Sequence, residues 1–252
     1  MRRINLFKQH LEEKRAVKII AGIDNFDIES VKKVVSAANQ AGASAIDICA
    51  DAEIFKAARQ LTELPLFVSS VVPEELAQAV QMGADGIELG NFDALYKSGV
   101  RMGADEVLEL ARKTMSLINK AETFVCVTVP GHISVAEQID LARNLEEIGV
   151  DLIQTEGSAT TNAQSEGARG LMETAQVSIA NTIELSRNVD IPVMTASGIT
   201  PTTAALAFAA GASAIGVGSC VNKLDSSIAM MAVARSLVEI AERNIQREMV
   251  TA

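Results

Sequence analysis

Two carboxylates lie inside short apolar runs, Asp47 in Ala45-Ile-Asp-Ile-Cys49 and Glu88 in Gly86-Ile-Glu-Leu-Gly90. In such surroundings one acid of a pair can be held protonated while the other stays ionised, which supplies an acid and a base for proton transfer. The competing reading is a buried ion pair with Lys18 that fills the interior, because ion-pair networks perturb the same groups. A divalent metal on Asp24, Asp47 and Glu88 is the weaker reading, since no ligand motif with tight spacing is present. Lys18 stands at the start of its apolar run, Val17-Lys-Ile-Ile-Ala21. It is read as structural rather than as a Schiff-base former, which needs an accessible, desolvated amine.

A second constellation lies near the C-terminus, in Thr195-Ala-Ser-Gly-Ile-Thr-Pro201 and Gly211-Ala-Ser-Ala-Ile-Gly-Val-Gly-Ser-Cys-Val221. Each reads as a short strand running into a glycine-containing loop and then a helix start. Such loops leave backbone N–H groups for a phosphate, and a helix N-terminus adds a favourable dipole. Ser197, Gly198, Ile199, Gly218 and Ser219 are therefore the expected phosphate-binding residues. His132, in Pro130-Gly-His-Ile-Ser134, ends a strand and can exchange protons near neutral pH. It ranks behind Asp47 and Glu88, because a lone loop histidine is usually ordinary. Asp24, Asn91, Gln154, Glu156 and Arg169 complete the expected substrate-binding set. The long loop 90–103 carries Asn91, Asp93, Tyr96, Lys97 and Arg101 to the same face. The polar, glycine-punctuated loop 157–170 is read as a mobile lid.

The elements that must position these residues alternate without a linker. Strands are expected near 17–23, 44–49, 65–70, 85–90, 123–129, 151–156, 192–197 and 213–218. Helices are expected near 28–40, 51–62, 73–82, 103–119, 134–147, 170–187, 201–209 and 225–247. The strand runs are rich in Val and Ile, as parallel strands covered by helices should be. Gly42-Ala-Ser-Ala-Ile, Gly83-Ala-Asp-Gly-Ile and Gly211-Ala-Ser-Ala-Ile repeat ahead of strands 2, 4 and 8, each glycine placed to cap a helix. Ala41–Gly90 is echoed by Ile148–Gly218. Eight such units predict a single (β/α)8 TIM barrel over residues 1–252, with an amphipathic helix within 1–15 closing its lower end. Alternation then turns Lys18, Ile20, Asp24, Asp47, Cys49, Glu88, Phe124, Cys126, Thr128, Gln154 and Glu156 inward.

Composition narrows the classes. The 252 residues match the roughly 250 of one such barrel, and 48 % hydrophobic content supports a substantial core. A net charge of −10 with no Trp and one Tyr argues against nucleic acid, which requires a basic footprint. No apolar run is long enough to span a bilayer, and the N-terminus lacks the apolar core of a secretory signal. Three cysteines without C-x-x-C spacing fit a reducing compartment, cytoplasm or plastid stroma. The long last helix and acidic surface permit a homo-oligomer.

The strings Ile87-Glu-Leu-Gly-Asn-Phe-Asp93, Ile153-Gln-Thr-Glu-Gly157, Thr195-Ala-Ser-Gly-Ile199 and Ile215-Gly-Val-Gly-Ser219 closely resemble the hypothetical chloroplast open reading frame twenty-three family. Ile19-Ile-Ala-Gly-Ile23 and Ala45-Ile-Asp-Ile48 are similar to it too, so the resemblance runs from about residue 5 to 222. It is a domain of unknown function in cyanobacteria and algal plastids, and it implies that setting without a reaction. More widely, strands 7 and 8 look like aldolase-type phosphate-binding barrels, whose strand-7 loop commonly reads Ser-Gly-Gly-Ile. Ala196-Ser-Gly-Ile199 stands there in this chain, with Ser197 in place of the first glycine. The leading expectation is an enzyme of isomerase, epimerase, lyase or synthase type acting on a small phosphorylated metabolite. The alternatives are a regulatory protein that senses such a metabolite and, third, a flavin-binding barrel.

Overall fold

Eight parallel strands close in sequence order into a barrel. They are β1 (Ala16–Ile20), β2 (Ala45–Cys49), β3 (Leu66–Ser70), β4 (Gly86–Leu89), β5 (Phe124–Val129), β6 (Leu152–Thr155), β7 (Val193–Ala196) and β8 (Ala214–Val217). The computed structural model describes residues 2–90, 92–96, 99–157 and 163–251. Helix α1 (Ile4–Glu12) precedes the barrel; α2 (Ile28–Ala41), α3 (Ala52–Arg59), α4 (Pro73–Met82), α6 (Ala104–Leu117), α7 (Val135–Glu147), α8 (Gly167–Ser186), α9 (Ala204–Ala209) and α11 (Ser227–Thr251) surround it. Two single-turn helices sit in loops: α5 (Asp93–Tyr96) after β4 and α10 (Ser219–Asn222) after β8.

Local chemistry sets the helix ends. Asp27 and Asp51 cap α2 and α3 by accepting from two backbone N–H groups each. Ser134 and Glu137 form a reciprocal capping box at α7. Gly42 and Gly83 end α2 and α4 in the left-handed conformation, as their place before a strand predicts. Outward residues such as Ile46, Ile87 and Val127 are fully covered by the helices, each aliphatic side chain contributing about 1.5–3 kcal/mol.

The lower end is sealed. Phe7 of α1 packs edge-on against Phe67 and Phe124, which meet each other at 5.7 Å between ring centroids. Ile4, Leu11, Leu152 and Met194 fill the same layer. The expected capping helix is thus a hydrophobic floor. Some strand positions outside the barrel depart from the apolar rule: among them, Thr155 and Thr195 face α8, where Thr182 bridges them with contacts of 3.4 and 2.6 Å. Alternation alone gives no sign of this hydroxyl ladder.

β1 is shorter than the sequence suggests. It ends at Ile20, because Gly22 at φ +122 turns the chain and Asn25 donates from its side chain back to the Ala21 carbonyl at 3.2 Å. Asp24, expected to point inward, therefore lies exposed on the β1–α2 loop. α8 starts earlier than expected, so 167–170 of the expected lid are helical. Residues 158–162 of that loop lie outside the described residues. Glu173 of α8 accepts from the backbone N–H groups of Gln164 and Ser165 at 2.8 and 3.0 Å, tying the end of the loop to the helix.

Candidate active site

Above the aromatic floor, the barrel interior becomes polar. Parallel register sets Ser69 beside Glu88 and Thr128 beside Gln154. Lys18 forms an ion pair with Glu88, both wholly buried. The other oxygen of Glu88 accepts from Gln154 Nε2 at 2.6 Å and from Thr128 Oγ1 at 3.4 Å. Burial alone would lower the Lys18 pKa, but the negative charges of Glu88 and Asp47 outweigh it, and the ammonium is held above its ordinary range. A lysine kept protonated in this way does not attack a carbonyl, which fits its structural reading. Asp47, also wholly buried, accepts from Ser69 Oγ at 2.5 Å. The sequence anticipates the inward direction of Lys18, Asp47, Glu88, Thr128 and Gln154 but not of Ser69, and the structure selects Glu88 as the partner of Lys18.

The upper rim of the barrel carries a different cluster. Glu156, just past β6, accepts a hydrogen bond from the Tyr96 hydroxyl at 2.5 Å. The same hydroxyl lies 2.9 Å from His132 Nδ1. Tyr96 closes α5, His132 sits in the β5–α7 loop, and the three belong to consecutive βα units. Gly131 makes the meeting feasible, since a Cβ there would lie 2.1 Å from the Glu156 carbonyl oxygen. Arg101 stacks over Tyr96 at 5.1 Å. Partial burial first, and the nearby Arg101 second, lower the His132 pKa, so its neutral form is favoured at physiological pH. The sequence assigned His132 and Glu156 to separate tasks and placed Tyr96 merely on the upper face.

The loops after β7 and β8 have an unusual backbone. Ser197 and Gly198 are consecutive left-handed residues, with φ of 71° and 74°. Among the described residues Lys14 is the one other non-glycine residue with positive φ. A Cβ at Gly198 would lie 2.2 Å from the Thr174 carbonyl oxygen of α8. Ser178 of α8 donates to the Ser197 carbonyl at 3.0 Å, holding the turn in place. Ile199 is buried beneath it. After β8, Gly218 precedes α10, whose Asn222 side chain donates to the Ile20 and Ala21 carbonyls at 3.0 and 3.2 Å. Ser219 is exposed at the start of α10.

The remaining expected residues scatter. Arg169 is exposed and pairs with Glu173 at 3.2 Å. Asn91 and Lys97 lie outside the described residues. Cys49 is pushed up to about 12, by burial first and by Asp51 next, so its thiol is not a nucleophile near neutral pH. Among the described residues no three or more His, Cys, Asp and Glu side chains are gathered as a metal site. No described helix is long and apolar enough to cross a membrane.

A closed parallel barrel with an N-terminal floor and glycine loops after β7 and β8 defines the aldolase-type (β/α)8 class. Solved structures agree on the fold. 3-Hexulose-6-phosphate synthase from Salmonella typhimurium superposes with a TM-score of 0.64 at 14 % identity, covering 91 % of this chain and 99 % of that one. Thiamine phosphate pyrophosphorylase from Pyrococcus furiosus gives 0.58 at 22 % identity, covering 93 % and 98 %. (S)-3-O-geranylgeranylglyceryl phosphate synthase from Thermoplasma acidophilum gives 0.57 at 16 %, covering 94 % and 98 %.

Within that class, the chain belongs to the family described as protein of unknown function DUF561, whose model matches residues 3–247. It is 38 % identical over 228 residues to the uncharacterized protein ycf23 of Cyanophora paradoxa, covering 90 % of this chain and 93 % of that protein. It is 36 % identical over 219 residues to ycf23 of Pyropia yezoensis, covering 87 % and 80 %.

Proposed function

We propose that this protein is an enzyme acting on a small phosphorylated metabolite, its phosphate resting on Ser197, Gly198, Ile199, Gly218 and Ser219. The observation that carries the reading is the left-handed Ser197–Gly198 pair braced by α8. Gly198 takes this conformation freely, but at Ser197, a non-glycine residue, it costs about 1–3 kcal/mol, a strain that persists where a site needs it. Glycine loops at this place on a barrel suit phosphate. The three solved structures named above carry phosphorylated compounds in their names, and one holds sn-glycerol-1-phosphate; that likeness supports the reading through fold alone.

Proton transfer is assigned to His132 at the rim and to Asp47 below it. Asp47 contacts a neutral hydroxyl, whereas Glu88 contacts the Lys18 ammonium and balances its charge. Isomerase, epimerase, lyase and synthase steps through an enediolate or carbanion all fit this arrangement. The setting proposed is the cytoplasm of a cyanobacterium or the plastid stroma.

The test is titration with inorganic phosphate and a panel of three- to six-carbon sugar phosphates, read by calorimetry. Saturable binding that Gly198→Ala abolishes supports the site; no binding by any compound of the panel overturns it. With a substrate in hand, Asp47→Asn should keep binding and lose turnover. A second reading, a binding protein that senses the metabolite without turning it over, is favoured by the complete burial of Lys18, Asp47 and Glu88. Binding without turnover in every product assay would select it.

A further inference from the structure

Among the described residues, the Tyr96 hydroxyl has one proton and two competing acceptors, Glu156 Oε2 at 2.5 Å and His132 Nδ1 at 2.9 Å. A carboxylate is the stronger acceptor, and the shorter contact is on its side. The tyrosine proton therefore points at Glu156. His132 Nδ1 then faces the tyrosine oxygen's lone pairs, and it is stable there only as an N–H donor. We propose that Glu156 and Tyr96 act as positioning residues that fix His132 in its Nδ1–H tautomer, leaving Nε2 as the proton-exchanging atom at the barrel rim. This rests on the enzymatic reading only for what that base acts upon.

The arrangement resembles the carboxylate–imidazole pair of hydrolase triads in its logic, with a phenol inserted between the two. When Nε2 takes a proton, the imidazolium's charge is met by the Glu156 carboxylate through Nδ1–H to tyrosine and tyrosine O–H to carboxylate. No proton has to leave the relay for this to occur. The other groups facing the ring divide: Arg101 opposes the charge, while Glu137 and a hydrogen bond from the ring to the Met102 backbone favour it. The edge-on packing of Tyr96 on His132, 5.2 Å between centroids, holds the ring at this angle. Three consecutive strands deliver the parts, but they are far apart in sequence and share no motif.

The chain has two histidines, so long-range proton–nitrogen correlation spectra of the full-length protein read each ring separately. His132→Gln assigns the pair. His10, at the opposite end of the barrel beside Ser44, serves as an internal control. In the wild type, neutral His132 should show an unprotonated Nε2 and a protonated Nδ1. Tyr96→Phe keeps the ring packing and removes the hydroxyl, and it should return His132 to the Nε2–H form common in water while His10 signals stay in place. A wild-type His132 protonated at Nε2, or a tautomer unchanged in Tyr96→Phe, overturns the proposal. Failure to bind any phosphorylated metabolite would sink the proposed function and leave this result standing, so the two are judged separately.

Discussion

Two polar clusters share one barrel and differ in almost every respect that matters for chemistry. The lower one joins Lys18, Glu88, Gln154, Thr128, Asp47 and Ser69, sealed from solvent above the Phe7–Phe67–Phe124 floor. The upper one joins Glu156, Tyr96 and His132, and its histidine is only partly covered. In the lower cluster the Lys18 ammonium meets the Glu88 carboxylate, both wholly buried. In the upper cluster a neutral imidazole sits at the end of a hydrogen-bonded chain and can take up a proton. Charge alone therefore does not set a group's role: Lys18 and Glu88 neutralise each other out of reach of solvent, whereas the partly exposed His132 is open to proton exchange.

The largest effect expected from breaking this contrast is at Glu88. Glu88→Gln leaves Lys18 buried without its anion, and urea denaturation should show a loss of about 3–5 kcal/mol. The double variant Lys18→Met, Glu88→Leu should recover most of it; a loss below about 1 kcal/mol in the single variant would deny the structural role. Gly198→Ala comes next. Its Cβ would stand 2.2 Å from the Thr174 carbonyl oxygen at a left-handed φ, so a loss of about 1–3 kcal/mol is expected together with loss of phosphate binding.

Histidine also separates the two ends of the molecule. His10 is lowered to about 4, by burial first and Arg15 second, against the raising influence of Glu13. Its unfolded value is near 6.5. Between these values the unfolded chain binds the proton that the folded chain refuses, so stability is full above about pH 6.5 and declines as pH falls toward 4. Denaturation midpoints should drop over that window, and His10→Gln should flatten the drop. The smallest effect belongs to Arg169, whose exposed pair with Glu173 should be worth under about 0.5 kcal/mol when Arg169→Ala is compared with wild type. If that variant instead weakened phosphate binding, the substrate-binding role expected of Arg169 would be supported.

Much of the fold was legible because period and punctuation agreed. Val- and Ile-rich runs mark the strands, helix-capping glycines stand ahead of β2, β4 and β8, and alternation turns Lys18, Asp47, Glu88 and Gln154 inward. β1 was overextended because Ile-Ala-Gly-Ile reads as strand, while the positive φ of Gly22 is a tertiary choice. The strain at Ser197 was half visible: serine in a glycine position hinted at it, but its φ was not written in residue type. The Tyr96–His132–Glu156 relay was hidden, because three loops bring it together and no spacing in the chain encodes it. Thr155, Thr182 and Thr195 were missed for a similar reason, since hydroxyls pair through side-chain position rather than period.

The central claim is a phosphorylated ligand at the β7 and β8 loops. It is tested most directly by native mass measurement of protein gently purified from its own cells, followed by mass spectrometry of the small molecules it releases. The account predicts a stoichiometric sugar phosphate or other phosphorylated metabolite, absent from Gly198→Ala purified in parallel. An empty barrel in the wild type, with its mass accounted for by protein alone, would contradict it.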